Sequence, residues 1–335
     1  MTNVLEVTTT DYHTGGEPFR IVTGGVPALE GRTILDKRRF AKENLDDVRK
    51  LLVFEPRGHA DMYGCFVTEP EDDAGDLGVV FFHNEGYSTA CGHGTIALVT
   101  WALESGKLDA AGAAPVVIVD APSGRLTTKA AVEGDRVTSV RFTNVPSFVW
   151  RTGLRVETSR GPVGCDVSFG GAFYASVPAA SLGLGVRPED LTDLIGLGRE
   201  IKRAIEADHE VVHPEEPELR DVYGVIFFEE VAGSDGPSQR NVTIFADGEV
   251  DRSPCGSGTS ARLALLDASG ELPRGATLRH LGIVDSVFLA RVSGDVEVAG
   301  TPAVVTEVEG RAFRTGSHEF RLDPDDPIGT GFLLR

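Results

Sequence analysis

The sequence predicts an α+β fold in two lobes built on one pattern. The pentapeptide Cys-Gly-x-Gly-Thr occurs twice, as Cys91-Gly92-His93-Gly94-Thr95 and as Cys255-Gly256-Ser257-Gly258-Thr259, each time opening a helix-like stretch. Strand-like segments outnumber helical ones and seldom alternate with them, which disfavours a Rossmann-type parallel sheet. A chain of 335 residues is also long enough for two units with separate cores.

Short apolar runs bounded by turn residues predict strands over 5–9, 20–22, 60–67, 78–82, 116–119, 136–142, 173–177, 222–228 and 242–246. Helical spacing of apolar residues predicts helices over 35–51, 95–105, 187–207 and 259–268. Each pentapeptide follows a turn-like segment, Asn84-Glu85-Gly86-Tyr87-Ser88 or Asp251-Arg252-Ser253-Pro254, and its apolar run stops at Gly106 or Gly270. The acidic runs Glu69-Pro70-Glu71-Asp72-Asp73 and Glu215-Glu216-Pro217-Glu218 read as solvated loops.

Composition narrows the function. A formal charge of -19 argues against a nucleic-acid backbone or an anionic membrane as partner, because both reward a basic surface. Met1-Thr2-Asn3-Val4-Leu5 lacks the basic start and apolar core of a leader, and no apolar run approaches the roughly 18 residues of a spanning helix. A cytoplasmic protein with reduced thiols is expected. Cys65 and Cys165 lie on strand-like stretches and read as small core residues.

Cys91 and Cys255 differ from those two. A thiol at a helix N-terminus sits among unpaired N–H groups at the positive end of the macrodipole, which stabilises thiolate and lowers a pKa of about 8.5 by one to several units. The pair suits one thiolate working with one thiol. Zinc is not expected: Cys91-x-His93 offers two soft ligands, yet Ser257 stands where His93 does and no second pair completes a tetrahedral set.

Asp11-Tyr12-His13-Thr14-Gly15-Gly16-Glu17-Pro18 suits either a site-forming loop or a tight connection. Gly170-Gly171-Ala172-Phe173-Tyr174 holds a comparable place in the second half, where a structural role in the repeat is expected. Glu55-Pro56-Arg57-Gly58-His59 and His83-Asn84-Glu85 read as hydrogen-bonding support for the first cysteine. No dinucleotide fingerprint or phosphate loop is present, so a nucleotide cofactor is not indicated.

Together, the segments 11–18, 83–95 and 251–258 resemble the signatures of the proline racemase family, which includes proline racemases, 4-hydroxyproline 2-epimerases and trans-3-hydroxy-L-proline dehydratases. The resemblance runs to the ending Asp323-Pro324-Asp325-Asp326-Pro327 and Gly331-Phe332-Leu333-Leu334. It implies a diaminopimelate-epimerase-like fold, two pseudo-symmetric lobes whose curved sheets wrap a central helix, with the site in the cleft between them. Lobes are expected at 1–146, completed by 320–335, and at 147–319. Residue by residue, it implies that Cys91 and Cys255 are the acid/base thiols, that Gly92, His93, Gly256 and Ser257 bind the substrate carboxylate through backbone N–H groups, and that Asp251 holds the ring nitrogen. Two helix N-termini serving one carboxylate fit the same chemistry, and no pyridoxal phosphate or other cofactor is required.

One departure complicates the choice between branches. The segments 55–64 and 83–87 resemble the dehydratase branch, whose second catalytic position is typically threonine, whereas this chain has Cys255. Elimination needs one base, while inversion needs a proton donor on the opposite face, so the retained thiol favours racemase or epimerase. The alternatives are a trans-3-hydroxy-L-proline dehydratase and an inactive small-ligand binder of the same fold. The expected partner is a small-molecule substrate, proline or a hydroxyproline, with homodimerisation left open.

Overall fold

The computed structural model describes residues 5–109, 112–232 and 236–334; Met1 to Val4, on which the reading of the N-terminus rests, lie outside them. The chain divides into two compact units, Met1–Val140 with Arg311–Arg335, and Arg141–Gly310. These limits differ from the expected 146/147 and 319/320. Arg141 already belongs to the second unit, where its Nε donates to Glu309 at 2.9 Å, and the last strand pairs with the first from Ala312 onward.

In the first unit the order is β1 (Leu5–Thr14), β2 (Glu17–Gly24), α1 (Ile34–Asn44), α2 (Asp46–Val53), β3 (Tyr63–Thr68), β4 (Leu77–His83), α3 (Gly92–Glu104), β5 (Val116–Ala121), β6 (Gly124–Glu133) and β7 (Arg136–Thr143), across which the division falls. The second unit contains β8 (Ser147–Thr158), β9 (Gly161–Phe169), β10 (Phe173–Pro178), α4 (Leu191–Asp208), β11 (Val222–Glu230), β12 (Ser238–Phe245), β13 (Glu249–Asp251), α5 (Gly256–Ser269), β14 (Leu278–Leu281), β15 (Val287–Val298) and β16 (Thr301–Gly310). The chain then returns to the first unit as β17 (Ala312–Leu322).

The repeat announced by the pentapeptides extends to strand pairing. Along β17–β1–β2–β3–β4–β5–β6 the senses run antiparallel, antiparallel, parallel, antiparallel, parallel, antiparallel. The same succession runs along β8–β9–β10–β11–β12–β14–β15. In the second unit β15 pairs with β16 and β16 with β8, closing a ring. Parallel neighbours need a crossover, and each crossover carries helix: α1 with α2, and α3, in the first unit, α4 and α5 in the second.

Each pentapeptide helix is the centre of its unit. A helix apolar on all sides must be buried on all sides, and α3 is buried from Gly92 through Thr100 against β1, β2, β6 and β17. Helix α5 is buried from Gly256 through Leu266 against β8, β9, β10, β15 and β16. Ile96, Leu98 and Leu263 have no exposed surface, so truncating any of them to alanine would cost about 2–5 kcal/mol.

One local reading changes and two gain detail. The helix expected over 35–51 is two helices that meet at Leu45, the first capped by Thr33 and Asp36 in a reciprocal box. The segment 11–18 is a hairpin: β1 runs to Thr14, Gly15 and Gly16 turn with φ of 60° and 91°, and β2 starts at Glu17. The acidic run 69–73 is an exposed loop, but Glu71 also caps α1, accepting from the Ile34 N–H at 2.6 Å.

Candidate active site

In the first unit Cys91 is the N-cap of α3. Its backbone is extended, with φ -154°, and its sulfur accepts the Gly94 N–H at 3.2 Å. Gly94 cannot carry a side chain, because a Cβ there would stand 2.7 Å from the Cys91 sulfur and 2.4 Å from the Phe19 ring. The His93 imidazole lies beside the sulfur, its two nitrogens 3.6 and 3.5 Å away. Edge-on rings of Phe19 and Tyr63 fix that imidazole, with centroids 5.7 and 5.1 Å from it. The hairpin also holds the helix start, since Thr14 donates to the His93 carbonyl at 2.9 Å.

The expected supporting residues divide. The His83 ring lies tilted against Tyr63 with centroids 5.4 Å apart, and Tyr63 bonds the Ser88 hydroxyl, so His83 reaches the cysteine neighbourhood through one ring. Asn84 instead ties backbone together, accepting from Met62 N and donating to Val53 O and His59 O. Arg57 anchors the C-terminal segment through Asp326 and the Gly329 carbonyl, both at 3.1 Å.

In the second unit Cys255 stands immediately before α5, as Cys91 does before α3, but its backbone has φ 61° and ψ 105°. Gly258 repeats the role of Gly94, since a Cβ there would meet the Cys255 sulfur at 2.8 Å. Ser257 bonds the buried Tyr174 hydroxyl at 2.7 Å, and that hydroxyl lies 3.9 Å from the Cys255 sulfur. Asp251, on β13 opposite Thr243, is buried and accepts from the N–H and hydroxyl of Ser253 at 2.8 and 2.6 Å. Thus Asp251, Cys255, Gly256 and Ser257 gather at one helix start, and Cys91, Gly92 and His93 at the other.

The thiol electrostatics differ from the expectation at Cys255. Burial pushes its thiol well above the ordinary range and the Asp251 carboxylate adds to the rise. The Gly258 N–H and the hydroxyls of Thr243 and Tyr174 favour the thiolate without reversing the balance. Burial and the Asp251 carboxylate together favour the thiol over the thiolate at Cys255. Cys165 is pushed up to about 11 by burial and then by Asp166, and burial alone lifts Cys65 well above its ordinary value, in keeping with core roles.

Tyr174, Thr243, Phe19 and Tyr63 are site neighbours that sequence reasoning did not single out. A signal existed for Tyr174. Matching Gly15-Gly16 to Gly170-Gly171 places Tyr174 opposite Phe19, and both contact the third residue of their pentapeptide. The second glycine pair is also structural, because a Cβ on Gly170 would lie 2.3 Å from the Ser257 carbonyl. Among the described residues no group of three or more His, Cys, Asp or Glu side chains could hold a metal ion, and no helix is long and apolar enough to cross a membrane.

Known proteins match the chain over nearly its whole length. The proline racemase family model matches residues 9–333. A trans-3-hydroxy-L-proline dehydratase of Bacillus cereus is 46% identical over 327 residues, with 98% of each chain covered. A 3-hydroxyproline 2-epimerase of Burkholderia multivorans is 47% identical over 331 residues, again with 98% of each covered. The solved structure of a hydroxyproline epimerase from Agrobacterium vitis with bound trans-4-hydroxy-L-proline has a TM-score of 0.92 at 32% identity, covering 98% of this chain and 96% of that one. The chain belongs to the proline racemase family.

Proposed function

We propose that the protein is a cofactor-independent racemase or epimerase that inverts the α-carbon of proline or a hydroxyproline. The observation that supports this most is Cys255, a second thiol set before α5 as Cys91 is set before α3. In this reading the first N–H groups of each helix, at Gly92, His93, Gly256 and Ser257, have no intrahelical acceptor and receive the substrate carboxylate. Asp251 pairs with the ring nitrogen. The Cys91 thiolate takes the α-proton, the resulting carbanion is stabilised through its carboxylate, and the Cys255 thiol gives a proton to the other face, leaving a thiol at Cys91 and a thiolate at Cys255. The opposite enantiomer reverses the roles. A substrate ammonium beside Asp251 offsets the charge that raises the Cys255 pKa, so substrate binding makes that thiol a better acid.

Dehydration of trans-3-hydroxy-L-proline is the second reading, favoured by the 46% identity to an enzyme of that name. There Cys91 alone removes the α-proton and the 3-hydroxyl leaves. Incubation with L-proline, trans-4-hydroxy-L-proline and trans-3-hydroxy-L-proline in heavy water, followed by NMR, separates them. Inversion puts deuterium at an α-carbon of opposite configuration; elimination consumes the 3-hydroxyl without an epimer. An enzyme inert to all three would leave only a binding role.

A further inference from the structure

The two cysteines open equivalent helices with different backbones. Cys91 is extended, whereas Cys255 has φ 61° and ψ 105°, a region that side-chain-bearing residues seldom occupy unless their surroundings impose it. The fifth residue of each pentapeptide shows where the imposition comes from. Thr95 donates to the carbonyl of Cys91 itself at 2.8 Å, the ordinary back-bond within a helix. Thr259 donates instead to the Pro254 carbonyl at 3.1 Å.

That carbonyl is the focus of a closed buried circuit. Asn241, on β12, donates one side-chain N–H to it at 3.0 Å and shares the other between His280 Nε2 at 2.9 Å and the Leu281 carbonyl at 3.2 Å. His280, on β14, then carries its proton on Nδ1 and donates to the Thr259 hydroxyl at 2.8 Å, which passes its own hydrogen to Pro254. Asn241, Thr259 and His280 have no exposed surface. The same peptide plane is held at its other end, where the Cys255 N–H donates to Ser253 Oγ at 3.1 Å and Ser253 leans on Asp251. Gly282, past the end of β14, allows the approach: a Cβ there would meet the Arg252 carbonyl at 2.5 Å.

We propose that Asn241, Thr259 and His280 are positioning residues for the second thiol: they clamp the Pro254 carbonyl, fix the peptide plane before Cys255, and thereby hold this cysteine in its left-handed backbone. All three are fully buried, so they act through the peptide that precedes Cys255. The inference rests on the two-thiol reading for its effect on turnover but not for its effect on Cys255 itself.

The test uses Thr259→Val, which deletes the hydroxyl at nearly constant shape, with Thr259→Ser as rescue and His280→Gln as a second break in the circuit. In the free enzyme, iodoacetamide labelling of Cys255 relative to Cys91, read by mass spectrometry, is expected to rise roughly tenfold in Thr259→Val and His280→Gln as the cysteine relaxes toward solvent, and to return in Thr259→Ser. In turnover, kcat for inversion falls roughly 10- to 100-fold with KM nearly constant. Deuterium exchange into the enantiomer served by Cys91 stays near the wild-type rate. An unchanged labelling ratio in both broken variants overturns the clamp, as does exchange that falls in step with inversion. The labelling needs no turnover, so a wild-type enzyme that inverts nothing would refute the two-thiol reading while leaving the clamp to be judged on labelling alone.

Discussion

The hydroxyl of Tyr174 stands 3.9 Å from the sulfur of Cys255 while bonding Ser257 Oγ at 2.7 Å. In the first unit the matching position is Phe19, whose ring packs edge-on at 5.7 Å against His93. One thiol is thus attended by an imidazole among aromatic rings and the other by a hydroxyl pair beside a carboxylate. Two copies of one motif have acquired unequal acid–base surroundings.

Tyr174→Phe removes a donor that favours the Cys255 thiolate, so the alkaline rise in Cys255 alkylation moves to higher pH. Ser257 also loses its buried partner, at about 1 kcal/mol of stability. Iodoacetamide rates across pH 7 to 10 read the first effect and urea unfolding the second; a profile displaced to lower pH would contradict the assignment.

Asp251→Asn has the opposite sign. With the carboxylate gone, one of the two causes that raise the Cys255 pKa disappears, and the same alkylation profile moves to lower pH. Turnover nevertheless falls roughly 10- to 100-fold in kcat/KM, because the charge-assisted bond to the substrate amine is lost. Near-normal turnover would remove Asp251 from the substrate site.

Among the four cysteines, Cys91 is expected to be alkylated first near pH 8. Cys65, Cys165 and Cys255 are all held up by burial, whereas the Cys91 sulfur receives the Gly94 N–H and faces an imidazole. A planar pyrrole carboxylate, shaped like the flattened carbanion, should protect it. Peptide mapping that finds Cys65 modified ahead of Cys91 contradicts this order.

Cys255→Thr separates inversion from elimination. Threonine supplies no thiolate and its hydroxyl is a far weaker acid, so inversion is lost in both directions. Cys91 remains able to abstract a proton, and the variant is expected to dehydrate trans-3-hydroxy-L-proline. Chiral chromatography of the products decides it, and inversion at the wild-type rate would exclude two-base chemistry.

His280 gives the fold an acid-sensitive step. Burial, then the charge of Arg262, depress its pKa from 6.5 to about 3. Between these values the unfolded chain binds a proton that the folded chain refuses, so stability is lost as pH falls below 6.5, by about 3 kcal/mol at pH 4. His280→Gln has no such group to titrate. Its urea midpoint should decline less than that of the wild type between pH 6.5 and 4, and parallel declines would reject the account.

The pentapeptides made the two central helices and the cysteines that open them legible, because a cysteine before a glycine-rich helix start has local physical meaning. The backbone of Cys255 was not legible, since its φ is imposed by Asn241 and His280 from strands distant in sequence. The raised Cys255 pKa could not be read from helix position either, because it comes from burial and from the Asp251 carboxylate. The break at Leu45 escaped because apolar spacing continues across it. Strand β17 escaped because most of its side chains face solvent, leaving no alternation to detect.

That last strand also orders events during synthesis. It pairs with β1 along its whole length, from Leu5 opposite Leu322 to Thr14 opposite Ala312, yet the ribosome makes it only after residues 141–310 are complete. The nested unit is contiguous and is available to fold first, while the outer one waits with an open edge on β1 and an incomplete cover over α3. A nascent chain stalled before Arg311 would therefore present an intact inner unit and an unfinished outer one, the form most exposed to pairing with a neighbouring chain.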